Sequence, residues 1–143
     1  MARHYDLHRA KILVADDVAI NRAILDRLIS EHNGIPVPAR NGREAVDLFI
    51  LSEHGGFALI LMDITMPEMD GIAAAAAVRS ADRPDAKTIP IIAVTAEPAA
   101  EVQDKCERCG MNLFMQKPFD ADKLLQAIAA RINYFILENP LHD

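Results

Sequence analysis

Five side chains able to do chemistry stand where apolar runs end. Asp16 and Asp17 follow Ile12-Leu13-Val14-Ala15, and Asp63 follows Phe57-Ala58-Leu59-Ile60-Leu61-Met62. Thr95 follows Ile91-Ile92-Ala93-Val94, and Lys117 follows Asn112-Leu113-Phe114-Met115-Gln116. In a parallel α/β sheet the carboxyl ends of the strands gather in one crevice, where ligands bind. Residues far apart in the chain can then share one site. Three carboxylates in one crevice repel, and at least one of them is driven toward its protonated form. A hard divalent cation offsets that cost, and Mg²⁺ is commonly held by one or two carboxylates plus phosphate oxygens. Lys117 brings a flexible positive charge and Thr95 a short hydroxyl donor. The set suits a phosphoryl group attached to, or passing over, a carboxylate.

The elements that must position these residues follow from the apolar pattern. Lys11–Ala15 is a continuous apolar run, as expected of a strand covered on both faces. Residues from Asp17 to Ser30 carry Ile20, Ile24, Leu25, Leu28 and Ile29 at helical spacing. A helix starting near Val18 sets both aspartates at its positive end, and Gly34 marks its stop. Ile35–Ala39 is predicted as a strand whose Pro36 and Pro38 suit only a sheet edge. Asn41-Gly42 is a turn signal, and a second helix runs from about Arg43 to Glu53. Phe57–Met62 is the strongest strand and is placed centrally.

A loop at Met66-Pro67-Glu68-Met69-Asp70-Gly71 leads to a third helix, Ile72–Ser80, whose alanines favour helix. The polar stretch Ala81–Thr88 separates it from a strand at Ile89–Val94. Pro98 opens a fourth helix that runs to Cys109. Asn112–Met115 is the last strand. A fifth helix spans Asp122–Leu137 with Asp120 as N-cap, without a full capping box. The repeated βα pattern, with right-handed crossovers, predicts an open doubly wound sheet covered on both faces. Residues 1–10 are read as an N-terminal extension, 11–137 as one domain, and 138–143 as a tail or the start of a linker.

Composition narrows the classes. The chain has 143 residues, 51% of them apolar and 25% charged, with a net charge of −6. That fits one folded domain and argues mildly against direct nucleic-acid binding. No apolar run is long enough to span a membrane, and Met1–Arg9 has no apolar signal segment, so a cytoplasmic setting is expected. Cys106 and Cys109 are half a zinc site at most, and at the end of a helix they do not suit redox work, so they are read as core thiols. The five histidines show no metal-ligand spacing. Arg40, Arg43, Arg79, Arg83 and Arg108 are scattered and are taken as solvated.

The combination resembles the receiver domain of two-component response regulators, over nearly the whole chain. Asp16-Asp17 match the acidic pair after strand one, and Asn21 falls at a frequent asparagine early in the first helix. Asp63 matches the phosphate-accepting aspartate, with Met66-Pro67 and Asp70-Gly71 beyond it. Thr95-Ala96 and Lys117-Pro118-Phe119 match the steps after strands four and five. The resemblance implies a CheY-like, flavodoxin-like (βα)5 sandwich with a five-stranded parallel sheet in the order 2-1-3-4-5. It implies that Asp63 takes a phosphoryl group from a sensor histidine kinase or a histidine phosphotransfer protein. It implies Mg²⁺ held by Asp16, Asp17, Asp63 and the backbone carbonyl of Thr65, with Asp16 acting partly through water. Thr95, Ala96 and Lys117 would bind the phosphoryl group, and Phe114 would change rotamer behind Thr95. Thr65 and Glu97 would tune the lifetime of the phosphorylated state, and Pro118 would follow a cis bond. The face of helix four, strand five and helix five would carry the output to an effector. The apolar end of helix five (Ile128, Ile132, Tyr134, Phe135, Ile136, Leu137) is read either as core packing or as a partner surface, such as a dimer face.

On this reading the chain catalyses its own phosphorylation and slow dephosphorylation. It is not a conventional enzyme unless it belongs to a hybrid histidine kinase. Three rivals are weaker. An aspartate-based phosphohydrolase needs a second Asp where Thr65 stands, and a cap over a small substrate. A flavodoxin-like nucleotide binder needs a phosphate loop where Asp16-Asp17-Val18-Ala19 stands. A constitutive interaction module would use the fold without the chemistry.

Overall fold

The computed structural model describes residues 5–138, with side chains as far as Ile132. Five parallel strands lie in the order β2-β1-β3-β4-β5: β1 (Lys11–Ala15), β2 (Ile35–Ala39), β3 (Leu59–Met62), β4 (Ile91–Thr95) and β5 (Leu113–Gln116). The helices are α1 (Ala19–Ser30), α2 (Gly42–Leu51), α3 (Gly71–Ser80), α4 (Asp85–Thr88), α5 (Ala99–Arg108) and α6 (Ala121–Glu138). The expected order and doubly wound architecture are therefore present. The predicted fourth and fifth helices are α5 and α6, because the polar stretch after α3 contains the short α4.

Alternation along the strands builds two apolar layers. Leu13, Ala15, Ile60, Met62, Ile91 and Ala93 face the layer under α2, α3 and α5. Ile12, Val14, Leu59, Leu61, Ile92 and Val94 face the layer under α1 and α6. The prolines of β2 are explained by its place at the edge. Ile35 N donates to Ala10 O and Ala39 O accepts from Asp16 N, so the odd-numbered residues pair with β1. Pro36 and Pro38 therefore face the open side, where no ladder donor is needed.

Three features differ from the sequence expectation. Leu7, in a polar segment, is fully buried in the α1/α6 layer, and its N–H donates to His32 O at 2.8 Å. Arg83 is not solvated: its guanidinium makes two bonds to Asp85 (2.6 and 2.8 Å) and donates to the carbonyls of Phe49, Ser52 and Glu53. It thereby gathers carbonyls at and just past the C-terminus of α2, where the regular helical donors run out. Arg79 is likewise engaged, donating to Gly110 O at 2.7 Å and Ala86 O at 3.1 Å. Arg40, Arg43 and Arg108 are exposed as expected. Tyr134, Phe135, Ile136 and Leu137 lie outside the described side chains. Among the described residues, no helix is long and apolar enough to cross a membrane.

Candidate functional site

Strand register brings the acids together. Ala15 pairs with Met62, so Asp16 and Asp63 leave neighbouring strands at one level. Asp63 N donates to Ala15 O at 2.9 Å, and Asp16 N to Ala39 O at 3.1 Å. Asp16 is 1% exposed and Asp63 8% exposed, whereas Asp17 is open to solvent. One carboxylate oxygen from each of Asp16, Asp17 and Asp63 lies within 4.8 Å of the others. An all-oxygen donor set of this size, partly open, fits a hard divalent cation such as Mg²⁺.

Lys117 enters from the end of β5. Its Nζ lies 2.7 Å from Asp16 Oδ2 and 3.1 Å from Asp63 Oδ2. The peptide bond to Pro118 is cis, and Lys117 N donates to Thr95 O at 2.7 Å. Burial pushes the Asp63 carboxyl above the usual carboxylate range, aided by the Asp16 charge and opposed by Lys117. Burial pulls the Lys117 ammonium down, but its bonds to Asp16 and the Asp63 charge outweigh that and raise it. The lysine thus stays charged, and the Asp63 carboxylate is kept basic.

The loop beyond Asp63 is pinned at close range. Gly71 N donates to Ile64 O at 2.7 Å, and a Cβ on Gly71 would stand 2.1 Å from Asp63 O. Only glycine permits that approach. Asp70 caps α3 by accepting from Ala73 N at 2.8 Å. Thr65 N donates to Asp63 Oδ1 at 3.3 Å, and the exposed Thr65 hydroxyl donates to Glu97 Oε2 at 3.0 Å. Thr95 is 1% exposed, and its Oγ1 accepts from Glu97 N at 3.3 Å. Ala96 is exposed beside it. Phe114 pairs in register with Ala93 and packs on the same layer, half-buried. It borders a surface cavity of about 320 Å³ that Gln103, Cys106 and Met111 also line.

The structure thus gathers Asp16, Asp17, Asp63 and Lys117, with Thr65, Thr95 and Glu97 linked beside them. Pairing of Thr65 with Glu97 was not visible in the sequence, though both lie two residues past a strand-end site residue. Cys106 is buried at 3% exposure, and burial pushes its thiol up to about 11, consistent with an unreactive core thiol.

The family model for the response regulator receiver domain matches residues 12–129. Hybrid signal transduction histidine kinase B of Dictyostelium discoideum is 37% identical over 133 residues, covering 86% of this chain and 7% of that protein. Histidine kinase 2 of Arabidopsis thaliana is 30% identical over 141 residues, covering 86% of this chain and 12% of that protein. The chain thus spans only a small fraction of the length of the curated relatives it matches. Among solved structures, the receiver domain of a sensor histidine kinase from Pseudomonas aeruginosa has a TM-score of 0.78 at 25% identity. The match covers 87% of this chain and 98% of that one, which carries a magnesium ion coordinated in its active-site cleft. A receiver domain of a histidine kinase from Syntrophus aciditrophicus has a TM-score of 0.77 at 29% identity, covering 87% and 91% of the two chains.

Proposed function

The chain belongs to the response regulator receiver family, the phosphoryl-accepting domain of two-component signalling, and from that premise we propose that Asp63 is its acceptor. The observation that carries this reading is the pair of Lys117 bonds, which aim one ammonium at both Asp63 and Asp16. Asp16, Asp17, Asp63 and the Thr65 carbonyl would hold Mg²⁺, which when bound neutralises the oxygens of a transferring phosphoryl group. The same cation accounts for three clustered carboxylates opposed by a single lysine.

An Asp63 oxygen attacks the phosphorus of a phosphohistidine on a histidine kinase or phosphotransfer protein. The P–N bond breaks, and an acyl phosphate forms. Lys117 and the Thr95 hydroxyl bind the phosphoryl oxygens, with Ala96 backbone beside them. To do so, the hydroxyl turns from its contact with Glu97 N. Phe114 follows on the same layer, where the adjoining cavity leaves the ring room to move. Water later hydrolyses the acyl phosphate. Thr65 and Glu97, joined by a hydrogen bond, stand at that approach and set its rate. Pro118 shapes the loop that delivers Lys117. The output runs through α5, β5 and α6 to an effector or a second copy of the chain, in a cytoplasmic setting.

Incubation with acetyl phosphate and Mg²⁺ tests the acceptor. Intact mass gains one phosphoryl group on the wild-type chain and none on Asp63→Asn. An adduct surviving that substitution refutes the assignment, and turnover of small phosphomonoesters favours a hydrolase.

A further inference from the structure

Arg22 lies in the first turn of α1, half-buried. Its backbone N–H donates to Val18 O at 3.1 Å, and its guanidinium Nη1 donates to the backbone carbonyl of Asp16 at 2.7 Å. One residue therefore closes both the first helical turn and the loop before it. Every polar atom of Asp16 is engaged. Its N–H goes to Ala39, its Oδ1 accepts from Val18 N at 2.9 Å, its Oδ2 meets Lys117, and its carbonyl takes Arg22. Asp17 differs: its side chain is exposed, so packing does not fix its aim. Its direction is set by the backbone on either side, the segment that Arg22 grips.

We infer that Arg22 is a positioning residue: by holding the Asp16 carbonyl, it fixes the β1–α1 loop so that Asp16 and Asp17 converge with Asp63 on one cation position. This rests on the reading that these acids hold Mg²⁺. The rival role for Arg22 is charge compensation alone, and the two roles predict opposite effects on binding. A fixed cation beside an acid cluster competes with a metal ion, so its removal strengthens binding. Loss of a strap leaves loop ordering to be completed on binding, so its removal weakens binding.

The test compares the full chain with Arg22→Met, Arg22→Lys and the control Arg27→Met, an exposed arginine on α1. Titration with MgCl₂ by calorimetry reads affinity. Amide exchange at Val18, measured in chelator, reads the strap without metal. Thermal melts confirm that each variant is folded. Arg22→Met is expected to bind Mg²⁺ about tenfold more weakly, the range seen when supports of metal ligands are lost. Its Val18 amide exchanges faster, Arg22→Lys moves both readouts in the same direction by less, and Arg27→Met matches wild type. Equal or tighter Mg²⁺ binding by Arg22→Met overturns the inference, as does weaker binding with Val18 protection unchanged. Wild-type protein that binds no Mg²⁺ would instead overturn the underlying metal reading.

Discussion

At the scale of single residues, Lys117 has two separable duties. It neutralises Asp16 and Asp63, both nearly buried, and in the proposed function it would offer an ammonium to a phosphoryl group. Removing one partner of a buried ion pair leaves uncompensated charge, which costs about 3 kcal/mol. Lys117→Met should therefore destabilise the chain by about that much in chelator, read by denaturant unfolding. Added Mg²⁺ should restore most of the stability, because the cation takes over neutralisation. Phosphorylation by acetyl phosphate should stay at least tenfold slower, and full recovery of that rate by Mg²⁺ would deny Lys117 its phosphoryl contact. Thr65 and Glu97 make a second residue-level case. Their 3.0 Å bond predicts strongly non-additive effects on the lifetime of the phosphorylated state. Thr65→Ala should alter the lifetime in the wild-type background and have little further effect on Glu97→Ala. Additive effects in the double variant would show that the residues act separately. The strand-end acids, Thr95 and Lys117 were legible in the sequence because each closes an apolar run. The Thr65–Glu97 bond was not, because its two residues belong to different loops and nothing in their local patterns marks the pairing.

At the scale of elements, the sequence was most legible where periodicity is strong, as in β1 and α1, or where proline restricts the choices, as in β2. It was least legible after α3, where a polar stretch hides a buried junction. Asp85 is 8% exposed, pairs with Arg83, and accepts from Gly55 N at 2.9 Å. Arg83 in turn stacks over Phe49, 4.5 Å from its ring centre, and caps α2. No sequence pattern announces an arginine that binds backbone carbonyls of a helix more than thirty positions earlier. Burial pushes the Asp85 carboxyl up, but the Arg83, Gly55 and His54 contacts outweigh that and hold it at about 2, below the ordinary 3.8. Its folded value is depressed, so its stabilisation is fully present above pH 3.8 and is lost as pH falls toward 2. The difference corresponds to about 2 kcal/mol. Asp85→Asn should lose about that much stability at pH 7 by denaturant unfolding, and the gap to wild type should narrow below pH 4. A gap of unchanged size down to pH 2 would mean that the carboxylate charge contributes nothing to this junction.

At the scale of the whole molecule, two apolar layers hold the site at one end of the sheet, and its centre is more deeply buried than its two edge strands, β2 and β5. β1, β3 and β4 are buried along their length past the first residue of β1, while every residue of β5 retains some exposure. Elements with fewer buried contacts open at lower cost, so a change at the crevice should travel toward β5 rather than into the centre. The link in that direction is visible. Glu97 N donates to the Thr95 hydroxyl, and Lys117 N donates to Thr95 O, so movement at Thr95 is felt by the loop after β4 and by the end of β5. If the hydroxyl turns to a phosphoryl oxygen, as the proposed function has it, Glu97 N loses its acceptor. Hydrogen exchange of the chain, with and without acetyl phosphate and Mg²⁺, should show faster exchange at Glu97. It should also show altered protection along β5 and α5, the elements that flank the cavity beside Phe114. Protection along β2 and α2, on the far side of β1, should stay the same. A response concentrated in β2 and α2 would place the output on the opposite edge. A response confined to Asp63 and its immediate loop would mean that phosphorylation is registered without being transmitted through Thr95.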